Sequence, residues 1–291
     1  MSWQEFLEQN YTPKTAAAYA FEVRHYLAWV GGDEAALTAD YSKLIGYLAT
    51  LRKRYDKPAT LQRIMCSVKA YYRYLLESGQ RTDHPAINLR LRDGARPQVQ
   101  TQDLLSKEEL ALLLRPRPER YPLLTNRNAA IIGLLVYQAL AVREIGLLQV
   151  LHLDLSTATV KVPATNRTFG RTLKLAAPQA MQLHAYLTED RPRLSKAATN
   201  QLILTSRGTA ERGEGVHYLV ETLRPLLPGR RLTPTTIRQS VIVLKLKEGG
   251  GLRQVQVFAG HKWVSTTEGY KENNLAELRL AVERFHPLAT H

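Results

Sequence analysis

The 291-residue chain has a single cysteine, Cys66, so no internal disulfide can hold it together, which fits a reducing, cytoplasmic setting in a bacterial cell, close to the nucleoid. It has no apolar run near the ~20 residues that a membrane span requires, so no membrane association is expected. Residues 1–6 lack the basic-then-apolar layout of a secretion signal. Histidine pairs at metal-ligand spacing are missing, as are the glycine fingerprints of phosphate and dinucleotide loops, so neither a metal nor a cofactor is expected. The run Gly249-Gly250-Gly251 follows a helical pattern and reads as its terminator. Acidic residues are also scarce. With 26 Asp and Glu against 40 Lys and Arg, the net charge is +14, which favours a polyanionic partner.

What is present suffices for two cores: 44% of the residues are hydrophobic, and the length exceeds one ordinary domain. The first part reads as helical. Thr12-Pro13 predicts a helix start, with the Thr side chain as cap, and Tyr19, Val23, Tyr26, Leu27 and Val30 follow at helical spacing up to Gly31-Gly32. A second apolar series runs through Tyr41, Leu44, Ile45, Leu48 and Leu51. A third runs through Leu61, Ile64, Met65, Val68, Tyr72 and Leu75. Tyr71, Tyr72 and Tyr74 are expected in the core, and Cys66 at core spacing beside Ile64 and Val68. Arg52, Lys53, Arg54, Lys69 and Arg73 fall on polar faces, either solvated or touching a nucleic-acid backbone.

An Arg-, Gly- and Pro-rich stretch over 89–102 reads as a linker between a helical domain (1–88) and a second domain (103–291). Ser106 and Glu109 predict a capping box at the new start, with Leu105 stapled onto Leu110. The pattern then predicts a long apolar helical region over 126–150, paired strands over 159–163 and 171–175, and helices over 179–187 and 216–227. A further helix opens at Pro234, and 252–285 is helical with a break at Gly260.

The chemistry-bearing groups lie late in the chain: Arg238, Gly260-His261 and Ser265-Thr266-Thr267 followed by Tyr270. A guanidinium, an imidazole and a phenol are what a tyrosine hydroxyl needs to attack a phosphodiester, although their spacing alone is weak support. The combination of Ala259-Gly260-His261, Ser265-Thr266-Thr267 and Tyr270, preceded by the Thr233–Ser240 arginine motif, resembles the tyrosine recombinases (phage integrases and Xer-type enzymes). Phe285-His286-Pro287 is similar to the Xer-type tail, and Thr15, Tyr19, Thr60, residues 71–75 and His84-Pro85-Ala86 fit that family's core-binding domain. The resemblance implies a mainly helical, two-domain fold: a SAM-like core-binding domain plus an α+β catalytic domain with a small sheet, forming a C-shaped clamp on double-stranded DNA. It implies Tyr270 as the nucleophile of a 3′-phosphotyrosyl intermediate, Arg238 as a phosphate-binding arginine and His261 as the imidazole beside it. It further implies a homo- or hetero-tetramer on DNA, with Leu275, Leu278, Leu280, Val282 and Phe285 as a docking face.

Three positions depart from the family pattern. Its Gly-Leu-Arg-x-x-Glu segment is here Ala139-Leu140-Ala141-Val142-Arg143-Glu144, which puts Ala141 in place of an arginine. The family histidine three residues before the second arginine is Thr235, and the one just after it is Gln239. The lysine expected within 163–171 is absent, with Asn166 in its place. Arg143, Arg167, Arg171 and Lys262 remain as candidate DNA contacts. Arg143 is alternatively an ion-pair partner of Glu144, and Arg167 and Arg171 alternatively solvated surface. With groups missing, an impaired family member that binds recombination sites and assists an active partner stands beside the active enzyme.

Overall fold

The computed structural model describes residues 1–91, 101–196 and 198–270. The chain divides into two compact units, Met1–Pro97 and Gln98–His291. Most of the expected linker, and the whole C-terminal docking face with Phe285-His286-Pro287, lie outside the described residues.

Among the described residues, five helices make the first unit: α1 (Trp3–Asn10), α2 (Pro13–Val30), α3 (Asp33–Thr38), α4 (Tyr41–Arg54) and α5 (Pro58–Glu77). Their ends follow local chemistry. Ser2 and Glu5 form a capping box, Asp40 accepts the Lys43 N–H at 2.8 Å, and Gly31 closes α2 at a φ of 106° that favours glycine. Thr12 does not make the expected cap bond. Its hydroxyl meets that of Thr15 at 3.0 Å, and Pro13 alone supports the start of α2.

Phe6, Val23, Tyr26, Leu44, Ile64, Val68 and Tyr72 form the centre of this unit's core. The Tyr26 and Tyr72 hydroxyls hydrogen-bond each other, and Tyr71 donates to Asp33 Oδ1 at 2.8 Å. Burial raises all three phenols well above their ordinary pKa, so these rings hold the core. Cys66 corrects the sequence reading. It is exposed on the outer side of α5, whose inward repeat runs through Leu61, Ile64, Met65, Val68, Tyr72 and Leu75.

The basic residues also separate. Arg52, Lys53 and Arg54 are exposed in the last turn of α4, where cations favour the helix terminus. Lys69 is half-buried, with Nζ 3.4 Å from the Ile87 carbonyl. Arg73 is exposed but engaged by Glu77 at 2.7 Å and lies over the Phe6 ring.

The second unit begins with α6 (Lys107–Leu113), capped reciprocally by Ser106 and Glu109 as the sequence predicts. The backbone N–H of Leu105 donates to Ser240 Oγ at 2.8 Å, fastening this start to a helix more than a hundred residues later. The expected helical run over 126–150 is not continuous. It gives α7 (Thr125–Val136), a turn through Ala139 at φ 51°, and a short α8 (Val142–Ile145).

Three antiparallel strands follow in the order β1 (Leu153–Asp154), β2 (Thr159–Val162) and β3 (Arg171–Lys174). Their register pairs Val160 with Leu173 and Val162 with Arg171, so Arg171 shares the inward face with two buried valines. Helices α9 (Ala177–Ala185), α10 (Arg191–Leu194), α11 (Glu214–Thr222), α12 (Pro234–Lys247) and α13 (Leu252–Ala259) complete the named elements, and residues 264–270 are helical. The middle of α7, from Ala130 to Leu135, is almost wholly buried, which makes it the spine of this core.

Candidate active site

Three separate pieces of the second unit meet at one buried carboxylate. Glu144 Oε1 takes the Arg171 Nη1 at 2.6 Å, and Oε2 takes Arg171 Nη2 at 3.3 Å, Arg238 Nη1 at 3.3 Å and the Ala141 N–H at 2.8 Å. The Glu144 and Arg171 side chains are 1% and 2% exposed, and Arg238 12%, so water contributes little screening. Burial alone would raise the carboxyl, but the hydrogen bonds and charge of Arg171, then the charge of Arg238, hold it below the ordinary carboxylate range.

Each guanidinium is also fixed by backbone. Arg171 Nε donates to the Phe258 carbonyl at 2.7 Å, and Arg238 donates to the carbonyls of Ala139 and, at 2.7 Å, Ala259. Gly260 is required at the crossing. It sits at φ 71°, and a Cβ there would collide with the Arg171 guanidinium. The hairpin between β2 and β3 docks on the same corner, where the Phe169 N–H donates to the Gly260 carbonyl at 3.0 Å and Thr168 bridges to His261.

Arg238 reaches this corner because α12 starts where it does. Thr233 caps the helix, accepting the Thr236 N–H at 3.0 Å, and Pro234 occupies the first turn, so Arg238 lies just over one turn in. After α13 ends at Gly260, His261 is buried. Its carbonyl takes Gln256 Nε2 at 3.0 Å, and its Nδ1 lies 2.9 Å from Thr267 Oγ1. The imidazole lies parallel to the Tyr270 ring, centroids 5.8 Å apart at 9°. Burial, then the positive charges of Arg238 and Arg171, push His261 down to about 4, so it is neutral at pH 7. Burial raises the Tyr270 phenol, while the Arg238 charge and a hydrogen bond with Gln239 pull it partly back.

The structure thus brings Arg238, His261 and Tyr270 together, with two guanidiniums facing one carboxylate and a net positive charge beside a phenol. Such a corner suits a dianionic or trigonal-bipyramidal phosphate centre. The positions that depart from the family pattern are also placed. Ala141 is the half-exposed N-cap of α8, in extended conformation and not inside a helix, so the side chain at 141 is set by a turn. Thr235 is exposed on α12, and Asn166 is exposed at the hairpin turn with Arg167 beside it.

One candidate DNA contact, Arg171, is corrected, and so is the ion-pair reading of Arg143. Arg171 is neither a DNA contact nor solvated surface, because its inward strand position delivers it to Glu144. Arg143 is exposed, and Glu144 pairs with Arg171 and Arg238 in its place. Arg167 and Lys262 remain exposed near the corner. Sequence reasoning missed Glu144 as the hub and Thr267 as the partner of His261. The alternation Arg171, Leu173, Leu175 held the signal for the first, since one strand face carries all three.

The chain is similar to known proteins along most of its length. The profile of the phage integrase N-terminal SAM-like domain matches residues 2–79. The chain is 26% identical to tyrosine recombinase XerC of Pelotomaculum thermopropionicum, over 97% of this chain and 95% of that protein. It is 25% identical to tyrosine recombinase XerD of Oceanobacillus iheyensis, over 97% and 95% respectively. Among solved structures, XerH site-specific recombinase bound to palindromic difH substrate, in a post-cleavage complex, shares the fold at a TM-score of 0.72 and 17% identity, covering 93% of this chain and 78% of that one.

Proposed function

Since the chain belongs to the tyrosine recombinase family, whose members are site-specific DNA strand transferases, we propose that Tyr270 cleaves and rejoins duplex DNA at specific sites. The observation that carries this is the convergence of the Tyr270 phenol, the neutral His261 ring stacked on it and the Arg238 guanidinium, all around the Glu144–Arg171 pair.

In this reading Tyr270 Oη attacks the scissile phosphorus. The Oη–P bond forms, with the phenol proton passing to water, as the bond to the 5′-oxygen breaks; that oxygen takes a proton from water, leaving a 3′-phosphotyrosyl link and a 5′-hydroxyl. Attack by a 5′-hydroxyl of another strand reverses the step, so the phosphodiester energy is retained and no cofactor is needed. Arg238 offsets charge on the non-bridging oxygens, and His261 donates to one of them. The leaving oxygen needs a proton. Within 163–171 the cations are Arg167 and the buried Arg171, and a guanidinium is a poor proton donor.

Residues 1–88 serve as the core-binding domain and 103–291 as the catalytic domain, with double-stranded DNA as partner and a tetramer as the working assembly. The exposed Arg52, Lys53 and Arg54, together with Arg167, Lys262 and Arg143, face the DNA backbone. The protein acts in the bacterial cytoplasm, at the nucleoid.

Ala141, Asn166 and Thr235 favour a second reading, a DNA-binding accessory that regulates an active recombinase. A nicked suicide duplex carrying a site from the flanking genome separates the two. Covalent adduct with the wild type and none with Tyr270→Phe supports the enzyme; tight specific binding without adduct supports the accessory. In either case affinity falls steeply with salt as displaced counterions are released, and a flat salt dependence contradicts backbone binding.

A further inference from the structure

We propose that Thr267 is a positioning residue whose hydroxyl donates to Nδ1 of His261, holding the imidazole as the tautomer protonated at Nε2. The hydroxyl and the ring nitrogen are 2.9 Å apart, and Thr267 is fully buried. A threonine hydroxyl has one hydrogen to place. Were Nδ1–H the donor, that hydrogen would lose Nδ1 as its acceptor in a position without solvent, at a cost typical of an unmade buried bond. With Thr267 donating, both groups are satisfied and the ring proton sits on Nε2.

The remaining surroundings hold the ring still but leave its tautomer open. Gln256 grips the backbone carbonyl of His261, Thr168 bridges its backbone, and Tyr270 covers one ring face. Arg238 and Arg171 supply positive charge and Glu144 an opposing negative one. The ring is neutral in that field, so one nitrogen carries a proton and the other does not. A neutral ring with the wrong tautomer would turn a lone pair toward a phosphate oxygen and repel it.

The consequence for strand cleavage rests on the recombinase reading; the tautomer itself does not. Thr267→Val keeps the shape of the side chain and removes the hydroxyl, whereas Thr267→Ser retains it. On the suicide duplex, Thr267→Val is expected to slow adduct formation about tenfold or more, with duplex affinity near the wild-type value and the rate mostly recovered in Thr267→Ser. In ¹⁵N spectra of the full-length protein, His261 should show a protonated Nε2 and a bare Nδ1, and Thr267→Val a mixture of the two tautomers.

A proton on Nδ1 in the wild type overturns the proposal, and so does a Thr267→Val protein that keeps the pure Nε2–H pattern. A wild type that binds but forms no adduct overturns the active-enzyme reading alone, because the spectra still decide the tautomer.

Discussion

The side of the pocket built from α12 and the residues after it carries Arg238, His261, Thr267 and Tyr270, each held by at least one named contact. The opposite side, built from residues 139–144 and the hairpin turn over 163–171, keeps its shape but presents Ala141 and Asn166 where the family has an arginine and a lysine. Its buried parts are intact: Glu144 still binds Arg171 and Arg238, and Phe169 still docks on Gly260. The positions that differ from the family pattern are exposed or half-exposed. The buried ion pairs shape the corner through packing constraints of their own, so charge can be lost at its mouth without unmaking it.

Removing the hub should have the largest effect. Glu144→Ala strands two guanidiniums in a nearly dry setting, and a loss of about 3–5 kcal/mol is expected in urea unfolding of the protein. A loss below about 1 kcal/mol would show that the two sides are not joined through this carboxylate. Restoring charge comes next. Ala141→Arg places a guanidinium at a half-exposed turn and should raise adduct formation roughly 10²–10³-fold. An unchanged measurable rate would mean that position 141 does not face the phosphate.

Asn166→Lys supplies a titratable donor at the hairpin turn and should raise the same rate by about tenfold. The double variant should depart from the product of the two, because such groups act as a unit.

Acid should expose the intact side. His261 titrates near 4 in the folded protein against an ordinary 6.5, so between these values the unfolded chain binds the extra proton. Its contribution to stability is complete above about 6.5 and declines as the pH falls toward 4. Unfolding free energy measured across that window should fall less steeply in His261→Asn, and an identical slope would place the titration elsewhere.

The smallest effect concerns Ala139, which occupies a left-handed φ of 51° where the family has glycine. Ala139→Gly should stabilise the protein by about 0.5–1 kcal/mol, the relief of strain less the added chain entropy. A destabilised variant would show that the methyl group packs usefully in the core.

Much of the organisation is legible in the residues themselves. Ser106 with Glu109, and Thr233 with Pro234, state their helix starts locally, because a cap needs only its own turn. The β2–β3 pair follows from two short runs around a polar turn. The break at Ala139 is not legible. The segment 129–142 is largely apolar, and neither glycine nor proline marks the turn at 137–141. Cys66 was misplaced because it is two residues from both Ile64 and Val68, a spacing that points away from the core face of a helix.

Local order along the chain set the helices, their caps, the hairpin and the motif ending in Tyr270, since these depend on neighbours within a few residues. Which charges became buried and which stayed in solvent was settled only by folding. Arg171 and Arg143 look alike as sequence, yet one is drawn 27 residues back to Glu144 while the other, adjacent to that carboxylate, faces water. An ion pair in a low-dielectric corner depends on the strand register and helix packing that exclude water from it, and those are properties of the assembled core.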